Sequence, residues 1–379
     1  MTSYPDQKID FIDLKAQQKK IRPSLDRRIA KVLDNGKYIL GPEVTELEEL
    51  LARYVGKKHC VSCGNGTDAL LMALMAYDAR PGDAIFTSPF TFIATAEVIA
   101  LTGATPVFVE IDERTYNIDP ASLATAIESL GRTKPGLKAR GIIPVDLFGQ
   151  PADYDAIAAV ARRHGLFILE DAAQGFGATY KGEKTCAFGD IAATSFFPAK
   201  PLGCYGDGGA IFSDDDAIAE KLRSIRVHGQ GTDKYDNVRI GINGRLDTIQ
   251  AAVLLAKMEL FDEELKLREK VAARYTRLLK DSVVTPYVAP YNTSCWAQYS
   301  VQVSHRDSVL PKLKTKNIPT AIYYPKPLHL QDAFCYLGYK QGEFPITESV
   351  AGKIFSLPMH PYLDEVTQDL IVSAVKESI

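Results

Sequence analysis

The residues that point most directly to chemistry are an aspartate, Asp171, and a lysine, Lys200. Asp171 directly follows the apolar segment LFILE at residues 166–170. If that segment is a parallel strand, the carboxylate lies at its carboxyl end, where open α/β sheets bind ligands. There it could bind a metal, act as a general base or pair with a cationic ring. An aspartate at this point would serve equally well as a helix N-cap.

Lys200 lies in the segment TSFFPAKPLGCYGDGGAIF, residues 194–212, between two strand candidates. Most lysines are solvated, but this one has phenylalanine, proline and leucine neighbours. A lysine removed from water has a lowered pKa, and its neutral amine can form a Schiff base with a carbonyl. Four glycines follow: Gly203, Gly206, Gly208 and Gly209. We expect them to let the backbone approach a flat cofactor closely.

Asp171 and Lys200 together indicate a more specific chemistry than either residue does alone. Pyridoxal phosphate needs a lysine for its aldehyde and a carboxylate that keeps its pyridine nitrogen protonated. The protonated ring accepts electrons, so the Cα–H bond of a bound amino acid can break. The two residues are 29 positions apart, on what we predict to be successive strand ends. This pattern predicts a pyridoxal-phosphate site.

Three further segments could hold the rest of that cofactor. GNGTDA precedes a helical pattern and offers backbone N–H groups to a phosphate at a helix start: Gly66, Thr67 and Asp68. Ser195 could donate its hydroxyl to the same phosphate. Phe92, in SPFTFIATAE, could stack on the ring or be a core aromatic, and the sequence favours neither.

Short apolar segments alternate with helical patterns, which predicts an α/β fold with a mostly parallel sheet. The strand candidates are residues 84–87, 106–109, 141–145, 166–170, 193–197 and 209–213. Residues 43–55 predict a helix with Val44, Leu47, Leu51 and Tyr54 on one face, and a second helix is expected to start near Thr67.

The chain has 379 residues, more than one hydrophobic core usually spans, so two domains are expected. From Leu246 the sequence predicts one long helix or two joined ones. We place the domain boundary within this helical segment, between residues 259 and 260. Residues 1–259 are expected to form a large domain that binds pyridoxal phosphate, and residues 260–379 a smaller C-terminal domain.

Composition and net charge limit the classes of binding partner and the cellular location that we expect for the protein. A net charge of -3 gives no reason to expect a nucleic-acid or anionic-membrane partner. No run of about 18 apolar residues is present, and the polar N-terminal residues do not resemble a signal peptide, which predicts a cytoplasmic protein. The six cysteines are expected to be reduced. Cys60 and Cys63 form a C-x-x-C that favours packing over a redox or metal role, so no metal site is predicted.

Motifs along nearly the whole chain resemble the DegT/StrS group of sugar aminotransferases. In chain order they are GNGTDAL, SPFTFIATAE, ILEDAAQGFGA, SFFPAKPLGCYGDGGAIF, INGRLDTIQAA and YYPKPLHLQ. The resemblance implies the fold type I of pyridoxal-phosphate enzymes, with a seven-stranded large domain and a smaller α/β domain. It also implies a homodimer with shared active sites.

This resemblance assigns roles to individual residues. Lys200 is implied to bind the cofactor aldehyde and to move protons, and Asp171 to hold the pyridine nitrogen. Gln174 is implied to contact the ring hydroxyl, and Phe92 to stack on the ring. The implied phosphate contacts are Gly66, Thr67, Ser195 and, from the neighbouring subunit, Asn243. Relatives with histidine in place of the lysine are sugar dehydratases, so Lys200 favours transamination.

A narrower resemblance is to enzymes that aminate UDP-linked 2-acetamido-3-oxo-glucuronate. It implies that Arg245 binds the sugar carboxylate, as a bidentate guanidinium can; the alternative is an ion pair at the dimer interface. Two residues depart from the pattern, and both could lie near the sugar: many relatives carry histidine in place of Tyr323, and histidine or a small polar residue is often found in place of Asp146. Tyr323 and His329 are candidate substrate contacts, although His329 could equally lie in a mobile surface loop.

We therefore expect a ping-pong transamination from an amino acid, by family resemblance L-glutamate, to a nucleotide-linked keto-sugar. The sequence leaves three alternatives: a 4-keto-6-deoxy sugar nucleotide aminotransferase, a sugar dehydratase of the same fold, and a regulator that binds sugar nucleotides without catalysis. Making amino sugars for surface glycans, such as lipopolysaccharide O-antigen, is the expected role.

Overall fold

The structure, a computed structural model, describes residues 9–379. Its strands are β1 (His59–Cys63), β2 (Asp83–Thr87), β3 (Thr105–Phe108), β4 (Lys138–Ile143), β5 (Phe167–Asp171), β6 (Thr179–Tyr180), β7 (Glu183–Lys184), β8 (Ile191–Ser195), β9 (Gly209–Ser213), β10 (Asn292–Thr293), β11 (Tyr299–Gln302) and β12 (Ile354–Leu357).

The α-helices in the same residues are α1 (Leu14–Asn35), α2 (Pro42–Val55), α3 (Gly66–Ala76), α4 (Ala94–Leu101), α5 (Pro120–Thr133), α6 (Tyr154–His164), α7 (Asp216–Ile225), α8 (Thr248–Met258), α9 (Phe261–Leu279), α10 (Arg306–Thr315), α11 (Pro345–Lys353) and α12 (Glu365–Ser378). None of them is long and apolar enough to cross a membrane.

A seven-stranded sheet in the order β1-β9-β8-β5-β4-β2-β3 forms the centre of the protein. Strand β9 is antiparallel to both of its neighbours, and the remaining strands run in one direction. The predicted α/β fold with a mostly parallel sheet is confirmed. The carboxyl ends of β5 and β8 are adjacent, because Asp171 pairs with Ala193 in the ladder.

All six predicted strand segments overlap a strand of this sheet, but β1 was not predicted. Its sequence, HCVSC, contains the C-x-x-C pattern. Cys60 packs in the hydrophobic core on one face of the sheet and Cys63 in the core on the other. Side chains three residues apart on a strand point to opposite faces, so this pair cannot form a disulfide or chelate a metal together.

Helices cover both faces of the sheet. On one face α3 packs its alanine, leucine and methionine side chains against β1, β8 and β9. On the other face α2 and α8 pack together over Phe196 and Phe212. The helix predicted over residues 43–55 corresponds to α2, and its predicted apolar residues Val44, Leu47 and Leu51 are buried.

The region predicted as one long helix or two joined ones contains two, α8 and α9, which meet at residues 259–260. Helix α9 then joins the antiparallel pair β11–β12 and helices α10 and α12 in a separate core centred on Tyr275, Tyr299 and Phe355. The domain boundary at 259/260 stays a prediction. One short sheet crosses it, because β10 pairs with β6.

Candidate functional site

The two residues first singled out, Asp171 and Lys200, meet at the carboxyl edge of the central sheet. Asp171 is the last residue of β5, and Lys200 lies in the connection between β8 and β9. Each stabilises the charged form of the other: Lys200 acts to lower the pKa of Asp171, and Asp171 acts to raise the pKa of Lys200. The two side chains are therefore close enough to interact electrostatically.

Asp171 is buried and well supplied with donors. Thr95 Oγ1 donates to Oδ2 at 2.8 Å, and the Ala173 backbone N–H donates to Oδ1 at 3.1 Å. Burial raises the pKa of Asp171, and these donors together with Lys200 oppose the increase. No helix starts after Asp171, since residues 173–177 form turns, so the N-cap alternative is wrong. A cationic group beside this carboxylate would strengthen its ionised form.

Lys200 has the reactive character that its sequence context predicts. Burial is the main influence on its amine and lowers its pKa, while Asp171 and Cys295 act in the opposite direction. Lys200 is only partly exposed, and its backbone N–H donates to Phe197 O at 2.8 Å. A larger fraction of this amine is neutral at a given pH than for a solvated lysine.

The start of α3 lies directly against the end of β8. A Cβ added to Gly66 would be 2.6 Å from Ser195 Cβ, so only glycine allows this approach. The Asn65 side chain caps the helix by accepting from the Asp68 N–H at 2.7 Å. That bond uses one of the three N–H groups predicted for a phosphate and leaves those of Gly66 and Thr67, beside the Ser195 hydroxyl. A helix start with free N–H groups and an adjacent hydroxyl fits a phosphate.

The glycines after Lys200 pack mainly against protein. A Cβ on Gly203 would be 2.6 Å from Phe197 O, and one on Gly209 would be 2.4 Å from Asn65 O. Gly208 similarly contacts the Cys204 sulfur. Their small size lets the Lys200 connection fold closely on itself and, at Gly209, against the turn before α3; the predicted close approach to a flat cofactor stays a prediction.

Two aromatic side chains lie in the same region. Phe92 is 54% exposed, so the core-aromatic alternative is wrong and its ring is available for stacking. Its ring centroid lies 6.5 Å from that of Tyr324. Tyr324 in turn accepts a hydrogen bond from Gln174 Nε2 at 3.0 Å, and Gln174 Oε1 accepts from the Phe148 N–H at 3.0 Å.

Thr95 and Tyr324 are site residues that the sequence analysis did not single out. Both lie inside motifs already noted, SPFTFIATAE and YYPKPLHLQ. A threonine in the first turn of a short helix carries no chemical signal by itself. Only the fold, which brings Thr95 to Asp171 across 76 positions, shows its role.

Asn243 and Arg245 lie together after the loop at residues 229–241. Asn243 is exposed. Arg245 is half-buried, and its Nε is enclosed without a hydrogen-bond partner among the described residues. Tyr323 is also half-buried, with its ring 5.9 Å from that of Tyr324.

His329 is placed differently from both predictions. Its side chain has no exposed surface, its Nε2 is 3.0 Å from Glu348 Oε1, and its ring packs on Phe344. It lies in a short 3-10 helix, Leu328–Leu330, so the surface-loop alternative is wrong. As a substrate contact it is corrected to a buried packing residue, because no surface of it is open to a ligand.

Asp146 also differs from expectation. It is completely buried, and its Oδ1 accepts from the Ala152 N–H at 3.0 Å and from the Tyr154 hydroxyl at 2.7 Å. It therefore lies beneath the site and does not border the space that a sugar could enter.

Comparison with known proteins gives a consistent result. The family model described as the DegT/DnrJ/EryC1/StrS aminotransferase family matches residues 19–376. A Pseudomonas aeruginosa protein named UDP-2-acetamido-2-deoxy-3-oxo-D-glucuronate aminotransferase is 51% identical, over 97% of this chain and 99% of that protein.

Solved structures agree in fold. A DegT DnrJ EryC1 StrS aminotransferase from Brucella abortus is 50% identical with a TM-score of 0.94, covering 97% of this chain and 99% of that one. The protein ntda from Bacillus subtilis, solved with bound cofactor PMP, is 26% identical with a TM-score of 0.90, covering 100% of this chain and 86% of that one.

The contact between Gly66 and Ser195 is testable. Gly66→Ala would place a methyl group 2.6 Å from Ser195 Cβ, and such overpacking costs about 1–3 kcal/mol. We expect a lower melting temperature and pyridoxal-phosphate binding that is about tenfold weaker, measured by fluorescence titration. The control is Gly131→Ala, at an exposed position of α5 where no described atom lies within 4 Å of the added methyl group. This variant should bind pyridoxal phosphate as the wild type does. Equal binding by both variants would contradict the close contact.

Proposed function

The chain belongs to the DegT/DnrJ/EryC1/StrS aminotransferase family, and from this premise we propose that it transfers an amino group from an amino acid to a nucleotide-linked keto-sugar. Pyridoxal phosphate is its cofactor. The observation that carries the proposal is the electrostatic interaction of Asp171 with Lys200 at the sheet edge where β5 and β8 end, together with the glycine contact between α3 and β8.

The residues present fit this cofactor. When bound, it supplies an aldehyde for an amine and a protonated ring that accepts electrons. Asp171, buried and held by Thr95, keeps the proton on the ring nitrogen. Lys200 would hold the aldehyde and would move a proton at the substrate carbon, since burial lowers the pKa of its amine.

The remaining contacts are assigned around these two. Phe92 stacks on the ring, and Gln174 orients the ring hydroxyl. The phosphate is bound by Gly66, Thr67, Ser195 and Asn243 of the partner subunit. The donor is L-glutamate, and the reaction proceeds in two halves, with Lys200 moving the protons in each.

For the sugar we propose a UDP-2-acetamido-3-oxo-hexuronate. The name of the Pseudomonas relative supports this substrate, and the partly exposed Arg245 carries the guanidinium group that a sugar carboxylate pairs with bidentately. Tyr323, whose ring lies 5.9 Å from that of Tyr324, is proposed as a second substrate contact. The proposed role is amino-sugar synthesis for surface glycans, such as lipopolysaccharide O-antigen, in the cytoplasm.

The proposal includes a homodimer with shared active sites. Apolar side chains are exposed in two segments, residues 38–40 and 235–240: Tyr38, Ile39, Leu40, Tyr235, Val238 and Ile240. Ile39 forms an isolated β-bridge with Asp247, so the first segment lies beside the residues that directly follow Asn243 and Arg245. Large exposed apolar patches are typical of protein–protein interfaces. A second copy of the chain would cover this apolar surface.

Lys200→Ala should hold the cofactor only noncovalently and turn over nothing. In the wild type, L-glutamate should convert the absorbance of the bound cofactor to that of the pyridoxamine form, and in the variant it should not. The control is Lys257→Met, at another buried lysine, whose pKa is lowered to about 8; it should keep the conversion. Turnover by Lys200→Ala would remove the central assignment, and no conversion with any amino acid in the wild type would remove transamination.

Arg245→Gln should reduce kcat/KM for a 3-oxo-uronate by about 100-fold and for the matching neutral hexose by less than about threefold, because only the uronate carboxylate loses a charged partner. Arg132→Gln, on the exposed side of α5, is the control and should change neither. Equal losses on the two sugars would instead support the dimer-interface ion pair.

Hybrid dimers test the shared site. Lys200→Ala and Asn243→Ala should each be inactive or severely impaired alone. Mixing them under subunit exchange creates dimers in which one site has both defects and the other has neither. Activity should therefore recover toward about a quarter of the wild-type value, as a random mixture gives half hybrids with one intact site each. Without recovery, Asn243 acts within its own subunit.

A further inference from the structure

Two acidic side chains, Asp146 and Glu170, lie buried in contact beneath the site. Both are 0% exposed. Glu170 Oε1 accepts from the Cys186 N–H at 2.6 Å, and Oε2 accepts from the Phe188 N–H at 2.8 Å. Asp146 Oδ1 is occupied by the Ala152 N–H and the Tyr154 hydroxyl, whereas Oδ2 is enclosed with no donor among the described residues.

The two carboxyl groups are close enough to share a hydrogen bond. Neither forms an ion pair within residues 9–379. Other titratable groups that face them are the Tyr154 hydroxyl, the Cys186 and Cys295 thiols and the Asp171 carboxyl, and none of these supplies a positive charge. Two adjacent carboxylates cannot both stay ionised in such surroundings.

The pair also supports both ends of the cofactor site. Glu170 directly precedes Asp171, and the Asp146 N–H donates to Asp171 O at 3.0 Å. On the other side, a Cβ added to Gly175 would be 2.5 Å from Asp146 Cβ, so the turn that carries Gln174 rests on this side chain.

We propose that Asp146 and Glu170 form a proton-sharing pair that positions the cofactor-binding residues Asp171 and Gln174. The proton resides on Asp146 Oδ2 and is donated to Glu170, because both Glu170 oxygens already face backbone N–H donors. Neither residue touches the cofactor. They are positioning residues, and their effect depends on the retained proton.

The pair makes the site sensitive to alkaline pH. Burial raises the pKa values of both carboxyl groups. A folded-state pKa above the unfolded value contributes stability that is complete at acid pH and is lost as pH rises through the folded pKa. Loss of the proton places two charges side by side beneath Asp171 and loosens both cofactor residues.

Asp146→Asn tests this dependence, because its amide keeps the Oδ1 acceptor and donates from Nδ2 without a titrating proton. From about pH 5 to about pH 9, the melting temperature of the cofactor-free variant should rise relative to wild type. Over the same range the wild-type Kd for pyridoxal phosphate should increase about tenfold more than that of the variant. Taking the ratio cancels the pH dependence of Lys200. A melting-temperature difference and a Kd ratio that stay constant with pH would overturn the proposal.

Glu170→Gln is the matched comparison. Its amide must turn an NH2 group toward the Cys186 or Phe188 N–H, so it should be destabilised at every pH, unlike Asp146→Asn. If Asp146→Asn were destabilised at every pH and Glu170→Gln were not, the assignment of the proton to Asp146 would be overturned. Infrared spectra of the wild type give a measurement that needs no variant to fold. A protonated carboxyl C=O band at neutral pH is expected, and its absence would overturn the shared proton.

Discussion

The attraction between Asp171 and Lys200 across a partly desolvated space is the interaction on which the rest of the site depends. Burial acts on both groups toward neutrality, raising the pKa of the acid and lowering that of the amine. Their mutual attraction opposes both changes. A flat cationic ring placed between them gives the carboxylate its own partner and lets the amine stay neutral and reactive. The two requirements of pyridoxal-phosphate chemistry thus follow from one electrostatic arrangement.

The sheet fixes this arrangement. Adjacent strands β5 and β8 deliver Asp171 and the Lys200 connection to the same edge, and glycines pull the connection and the start of α3 together. Thr95, from α4, holds the carboxylate from a third direction. Because each contact comes from a different element, the site can exist only after the sheet and its covering helices have packed. Stability of the fold and binding of the cofactor are consequently linked.

The sequence predicted those features of the site that are marked by short, local sequence patterns. A strand followed by an acid, a lysine among apolar residues and a glycine before a helix are short patterns, and the structure places all three at one edge. Strand β1 was missed because its residues, with histidine, serine and two cysteines, do not show the apolar run typical of a buried strand. Burial of Asp146 and His329 was also missed. Their partners, Tyr154 and Glu348, are 8 and 19 positions away, and enclosure by other elements leaves no local trace.

Three carboxyl groups near the ends of β4 and β5 show how surroundings separate roles within one fold. Asp171 has Thr95 as a donor and Lys200 as a cation nearby, so it can remain ionised beside a bound ring. Asp146 and Glu170 have no cationic partner within residues 9–379 and face each other, which is the basis for the proton that we propose they share. Neighbouring acids with environments that push their pKa values apart serve different purposes. In the proposed site one acid acts on the cofactor, and the other two hold that acid in place.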